Sequence, residues 1–266
     1  MLLAIDVGNT HTVFGLWDGA RWKSTWRRST YMRETEDELA AWLKGLFDLG
    51  GIEWAVDAAV CGSVVPQVND ALSKMCDRYL GIKLAFLEGG HQVGLPVSYE
   101  PSHVVGADRI ANALAALARY EPPIVVVDFG TATTFDVVDR NGVYVGGAIL
   151  PGVAISAQSL VERTAKLPQV EFLAPETAIG INTVHSLQSG IMFGYAGAID
   201  TLASRIRQEL GGTAKVLATG GLGKLFIGIC ESVEVYEPTL TLDGLAIAHQ
   251  RLLRQEPVKP RRSVSD

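Results

Sequence analysis

The phrase IDVGNT at residues 5–10 returns later in the chain as VDFGTATT at 127–134. Each copy is an apolar strand that ends in aspartate and glycine, turns on small polar residues and re-enters a second strand. Gly8-Asn9 supplies the turn signal in the first copy, and Asp18-Gly19 closes the hairpin that follows. An ungapped alignment matches Asp6 with Asp128, Gly8 with Gly130 and Thr12 with Thr134, a constant offset of 122 residues (128 − 6). A demanding pattern used twice points to two similarly built α/β halves around a central cleft, the usual place for a ligand. A plain stack of strand–turn–strand units is the other arrangement it allows.

The rest of the chain repeats in the same way. Strands are expected at 2–6, 12–17 and 22–27, and then a helix at 35–48, where Leu39, Trp42, Leu43 and Leu46 fall at helical spacing before Gly50-Gly51. A short strand at 58–60 precedes a helix opened by Pro66, whose missing N–H costs little in a first turn. After a loop-like stretch at 88–103, GADRIANALAALARY (106–120) reads as a strong helix stopped by Pro122-Pro123. IVVVD, TTFDVVD and VYVGGAIL then repeat the opening strands. Helices at 152–163 and 182–209, a strand at 215–218, a glycine turn at 219–223 and a helix at 239–253 complete the second half. The expected divisions are 1–118, 119–254 and a frayed tail at 255–266.

Bulk properties exclude several function classes. A net charge of −6 and a pI near 5.4 disfavour nucleic-acid binding, which needs a basic surface to displace phosphate counterions. Three cysteines without a CxxC pair fit neither a disulfide framework nor a cysteine metal site, and point to a reducing cytoplasm. Asp6 interrupts the apolar N-terminus, and the longest uncharged stretch, 141–161, holds a proline and several glycines. Neither a signal peptide nor a membrane span is expected.

The repeated turns carry the chemistry. Glycine at 8 and 130 lets the backbone approach a ligand closely, and Asn9, Thr10, Thr131 and Thr133 add side-chain donors to backbone N–H groups. Two such turns facing each other suit a polyphosphate. Asp6 and Asp128 would repel phosphate unless a cation lies between, which implies a nucleotide bound with Mg²⁺ held by Asp6 through water. Each aspartate alone also reads as a turn residue accepting local N–H bonds. GGLGKL at 220–225 fails the P-loop pattern, since Leu225 stands where Ser or Thr is needed; Gly220 and Gly221 instead offer flat backbone to an adenine ring. In GADR, Asp108 is placed to accept a hydroxyl proton and Arg109 to hold a substrate carboxylate, although helix capping and a surface ion pair explain the same residues.

Together these segments resemble the type III pantothenate kinases, the Bvg accessory factor-like group of the acetate and sugar kinase, Hsp70 and actin superfamily. The resemblance runs through DVGNT, GADR, DFGTATTFD, GGAILPG, RTAKLP, NTVHSLQSGIMFGYAG, ATGGLG and LTLDGL, over about residues 3 to 250. It implies a duplicated actin-like (ribonuclease H-like) ATPase fold and ATP-dependent phosphorylation of pantothenate to 4′-phosphopantothenate, the first step towards coenzyme A. It assigns Asp6, Val7, Gly8, Asn9, Thr10, His11, Thr12, Val13 and Thr131 to ATP, and Asp128 to a monovalent cation, K⁺ or NH₄⁺. It makes Asp108 the general base and gives pantothenate to Tyr99, Gly106, Ala107, Asp108, Arg109 and Thr183. It also implies a homodimer with the 182–209 helix, which carries Gly190, Gly194 and Gly197, near the interface.

Two positions depart from the group's usual pattern: His11 stands where Asn is usual, and Ile181 where Lys is usual. A non-catalytic regulator and a kinase of another hydroxy acid or sugar are the rival readings. The three aspartates argue against the first, and GADR with Tyr99 and Thr183 against the second.

Overall fold

The computed structural model describes residues 1–255. Two five-stranded sheets are built in the same order. In the first, β1 (Leu2–Val7), β2 (His11–Trp17) and β3 (Trp22–Ser29) form an antiparallel meander, and β4 (Ala58–Ser63) and β5 (Leu84–Leu87) add in parallel beside β1, giving β3-β2-β1-β4-β5. In the second, β6 (Ile124–Phe129), β7 (Ala132–Val138) and β8 (Tyr144–Pro151) repeat the meander. There β9 (Lys215–Thr219) and β10 (Val235–Tyr236) repeat the parallel pair, giving β8-β7-β6-β9-β10. Helices fall at matching places: α1 (Glu36–Leu49) against α4 (Val153–Glu162) and α5 (Thr183–Glu209), α2 (Asn69–Met75) against α6 (Gly223–Phe226), and α3 (Ala107–Arg119) against α7 (Leu240–Gln255). The expected duplication is therefore present, in the actin-like arrangement.

Local chemistry accounts for the main boundaries. Thr35 and Glu38 form a capping box at the start of α1, satisfying donors that a helix N-terminus leaves open. Pro66 opens a single 3-10 turn, and α2 begins only at Asn69. β4 runs on through Cys61-Gly62-Ser63, beyond the apolar triplet that marks it in the sequence. β5 and the two-residue β10 carry no comparable signal. The expected tail lies, beyond Gln255 at the end of α7, outside the described residues.

Strand alternation sorts the core. Leu3, Ile5 and Val7 of β1 face outward into a core with α1 and α2, and Val125, Val127 and Phe129 of β6 face outward into a core with α5 and α6. The intervening residues Ala4, Ile124 and Val126 face inward, where α3 and α7 form a layer shared by both sheets. α7 lies against β1, β4 and β5 of the first sheet although it ends the second half, and α3 lies against β4, β6 and β7. The same alternation brings Asp6 and Asp128 to the inner faces at the strand ends. Among the described residues no helix is long and apolar enough to cross a membrane.

The register corrects one match. Val7 faces Thr12 across the first hairpin, and Phe129 faces Thr133 across the second. The equivalent of Thr12 is therefore Thr133 and not Thr134, because three residues (8–10) join β1 to β2 but only two (130–131) join β6 to β7.

Candidate active site

The two glycine turns meet. In the first, Gly8 N–H donates to His11 O at 3.0 Å; in the second, Gly130 N–H donates to Ala132 O at 3.1 Å. Across the cleft the hydroxyls of Thr10 and Thr131 are 2.8 Å apart and hydrogen-bonded. The first turn is braced from behind by Thr30, whose hydroxyl donates to Gly8 O at 2.7 Å and pairs with Thr12 at 2.9 Å. Thr12 is thus spent on the scaffold, and the Val7 side chain lies in the outer core. Asn9, Thr10, His11 and Thr131 are left to present side chains outward.

Beneath the turns three carboxylates converge. Burial, then the charges of Asp108 and Asp128, push the Asp6 carboxyl well above its usual range. Burial raises Asp128 to about 7, with Asp108 and Asp136 adding to it and a hydrogen bond from Asn112 opposing. Burial also raises Asp108, against the backbone N–H and charge of Arg109. Among the described residues no cation offsets Asp6 or Asp128, so the pair calls for a proton or a positive ion. Hard oxygen donors without a competing lysine or arginine fit Mg²⁺ or K⁺. Among the described residues no three His, Cys, Asp or Glu side chains are grouped so as to hold a metal ion by themselves.

Asp108 owes its position to the start of α3. Gly106 is the N-cap residue, and a Cβ there would collide with Asp108 Oδ1, so the carboxylate folds back over bare backbone and accepts from Arg109 N–H at 2.8 Å. Ala107 is buried in the shared core. A cavity of about 400 Å³, lined by Ser63, Asn69, Phe86, Glu88, Val104 and Gly106 among others, opens beside this turn.

Arg109 is more tightly held than its sequence context indicates. Its Nε donates to Asp136 Oδ1 at 2.5 Å and its Nη2 to Phe135 O at 3.0 Å, with the guanidinium carbon 5.7 Å from the centre of the Tyr144 ring. Asp136 is fully buried and also accepts from the Tyr144 hydroxyl at 3.1 Å; burial raises its pKa to about 6, against Arg109. Nη1 is left without a hydrogen bond among the described residues. Tyr99, partly exposed, stands edge-on to Tyr144 at 6.5 Å.

Gly220 sits directly on the second motif. Its φ of +84° excludes most side chains, and a Cβ would collide with Asp128 Oδ1 and lie 2.7 Å from the Phe129 backbone. Thr183 opens α5, where the Asn182 side chain accepts from His185 N–H; it is exposed and joins none of the hydrogen bonds just described. Ile181, beside it, is 87% exposed.

Asn112, Asp136 and Tyr144 are site residues that the motif reading passes over. Asn112 had a signal: an amide four residues after Asp108 in an alanine-rich helix lies on the same face. It is 1% exposed, donates to Asp128 Oδ2 at 3.1 Å and accepts from Thr241 at 2.8 Å, tying α3 to β6 and α7.

Comparison with known proteins agrees with this geometry. Residues 2–205 match the family model described as type III pantothenate kinase. A type III pantothenate kinase of Anaeromyxobacter sp. (strain K) is 47% identical over 252 residues, covering 94% of this chain and 99% of that protein. Among solved structures, one from Campylobacter jejuni described as a Baf family transcriptional activator superposes with TM-score 0.62 at 19% identity, covering 95% of this chain and 99% of that one. Another from Sinorhizobium meliloti, described as a 2-dehydro-3-deoxygalactonokinase, gives TM-score 0.56 at 14% identity over the full length of both. The two structures share the fold; the sequence match over nearly the whole chain goes further, and this protein belongs to the type III pantothenate kinase family.

Proposed function

We propose that this chain transfers the γ-phosphoryl group of ATP to the hydroxyl of pantothenate, forming 4′-phosphopantothenate, the first step towards coenzyme A. The observation that carries the reading is the convergence of Asp6, Asp108 and Asp128 beneath two glycine turns whose threonine hydroxyls touch. Phosphoryl transfer asks a protein mainly for positioning and charge neutralisation, and this arrangement offers both. The main chain of Asp6 to Val13 and the side chains of Asn9, Thr10, His11 and Thr131 hold the polyphosphate, and Gly220-Gly221 lie under the adenosine.

Asp108 is the general base. Its raised pKa brings it closer to neutrality than a solvated aspartate, so it takes the acceptor's proton more readily as the hydroxyl attacks. Arg109 turns Nη1 to the pantothenate carboxylate, held in register by Asp136, while Tyr99 and the backbone of Gly106 and Ala107 line the same site. Asp6 would hold Mg²⁺ through water and Asp128 a monovalent cation, K⁺ or NH₄⁺, and ions bound there would supply neutralisation of phosphate charge.

The functional unit in this reading is a homodimer. Apolar side chains from α4 to the start of α5 are exposed, among them Ile155, Leu160, Leu173, Ile179, Ile181 and Val184. A Cβ added at Gly190, Gly194 or Gly197 meets nothing within 4 Å, so this small-residue row on α5 faces away from the chain's own core. A second copy packed there would bury the patch and place Thr183 at the interface, close to pantothenate. Light scattering that found only monomer at micromolar concentration would reject the dimer. The three cysteines are free and buried, which supports a reducing cytoplasm.

The activity is tested with purified protein, radiolabelled pantothenate, ATP and Mg²⁺, with K⁺ present or replaced by Na⁺. Labelled phosphopantothenate that rises with K⁺ is expected. A folded protein with no turnover in either salt would refute the reading.

A further inference from the structure

Arg27 has no part in the site as described. It lies on β3, the edge strand of the first sheet, directly opposite Val13, which is itself opposite Asp6. Asp6, Val13 and Arg27 therefore form one row across the inner face of the sheet. The neighbouring residues point the other way: Trp26 packs into the outer core, and Arg28 pairs with Glu34 and lies 4.7 Å from the centre of the Trp42 ring. Arg27 alone of this run turns towards the cleft.

It also reaches across it. Arg27 Nη1 lies 3.1 Å from where a Cβ on Gly221, in the second half, would stand. Its charge bears on His11, whose pKa is lowered by burial first and Arg27 second. It bears as well on Tyr236, whose hydroxyl donates to Gly220 O at 3.1 Å. The side chain is exposed, and among the described residues it forms no ion pair, unlike Arg28, Arg109 and Arg119. An unpaired guanidinium thus spans the opening between the first glycine turn and the Gly220-Gly221 turn.

We propose that Arg27 is a phosphate-binding residue that closes the nucleotide into the cleft, the first half's cation meeting the second half's adenosine turn. The proposal rests on the kinase reading and adds a residue to its nucleotide site. Arg27 stands two strands from Asp6 in the same row, about 10 Å away at the usual strand spacing. The space between them lies beside the 8–10 turn, whose N–H and hydroxyl groups suit an anion. A guanidinium offers two parallel donors to phosphate oxygens, and the charge on both sides makes that pairing stronger than one to a neutral adenine ring or ribose. Among the described residues, carboxylates deep in the cleft stand without a counter-charge, and so does a cation at its rim. A metal-bound polyphosphate between them satisfies both.

The test compares wild type, Arg27→Ala and Arg27→Lys by calorimetric titration with a non-hydrolysable ATP analogue, ADP and adenosine. For Arg27→Ala, ATP-analogue and ADP affinities fall by about ten- to a hundredfold, the usual loss for a hydrogen-bonded charge. Adenosine affinity changes by no more than about twofold, and the KM for pantothenate holds. Arg27→Lys falls between, since it keeps the charge and loses the fork. The melting temperature of each variant checks the fold and stays at the wild-type value, because Arg27 forms no ion pair among the described residues. Unchanged ATP-analogue affinity in Arg27→Ala, or an equal loss for adenosine, overturns the proposal. A wild-type protein that binds no nucleotide overturns the kinase reading and this proposal with it.

Discussion

Asp128→Asn should stabilise the cation-free protein, and by an amount that depends on pH in a defined way. Folding carries this carboxyl from 3.8 to about 7. One pKa unit corresponds to about 1.36 kcal/mol, so holding the charge in the folded state costs about 4 kcal/mol once it is fully ionised. The sign follows from proton uptake. Below pH 3.8 Asp128 is protonated in both states and costs nothing. Between 3.8 and about 7 the folded state binds more protons than the unfolded one, so stability falls as pH rises. Above about 7 the loss is complete. Asparagine is neutral throughout and can still accept from Asn112. The difference in stability between variant and wild type should therefore open above about pH 4 and level off above about pH 7, reaching about 2 to 4 kcal/mol after allowance for solvent screening. In a chain of this size that is a melting-temperature gain of about 5 to 15 °C. Thermal melts in a tetramethylammonium buffer free of K⁺ and Mg²⁺, at pH 5 and pH 8, measure it. Adding K⁺ at pH 8 should raise the wild type and leave the variant where it was. A variant–wild-type difference that is the same at both pH values would refute the argument that burial and neighbouring carboxylates disfavour this charge.

Three further perturbations probe the same site. Asp108→Asn should lower kcat by about 10²- to 10⁴-fold with no loss of melting temperature; near-normal turnover in a steady-state assay would remove Asp108 from the general-base role. Asn112→Ala strands the Thr241 hydroxyl and takes a donor from Asp128, a cost of about 1 to 3 kcal/mol that chemical denaturation would report as a lower midpoint at unchanged slope. Gly220→Ala forces a Cβ into Asp128 and the Phe129 backbone at a φ of +84°, so nucleotide affinity measured by titration should drop more than tenfold. Wild-type affinity there would show that the turn does not approach the second motif under binding conditions.

What the sequence disclosed, and what it hid, follows from the range of each interaction. The Asp-Gly turns were legible because a strand end, a glycine and small polar residues are fixed by local backbone geometry, and the chain spells them twice. The helices at 36–49, 107–119 and 183–209 were legible through their periodicity and stop signals. The Thr12–Thr134 match failed because a one-residue difference in turn length is invisible to an ungapped alignment, whereas hydrogen-bond register reveals it at once. β5 and β10 were missed because short parallel strands are set by their neighbours in the sheet and not by their own pattern.

The site divides in the same way. Asp6, Asp108 and Asp128 stand out as motif residues, yet nothing in their local sequence reveals that they share one low-dielectric pocket. That depends on α3 being wedged between two sheets, with α7 from the far end of the chain closing the layer. Asp136 reads as the polar interruption of an apolar strand, and only the fold supplies Arg109 and Tyr144 to explain it. Arg27 is the extreme case. By sequence it is one of two adjacent arginines on an exposed edge, and strand alternation alone sends one outward to Glu34 and the other inward to the cleft. A residue whose meaning lies wholly in which face of a sheet it occupies stays unread until the register is known, and the register here sets Arg27, which forms no ion pair among the described residues, in one row with Asp6 across Val13.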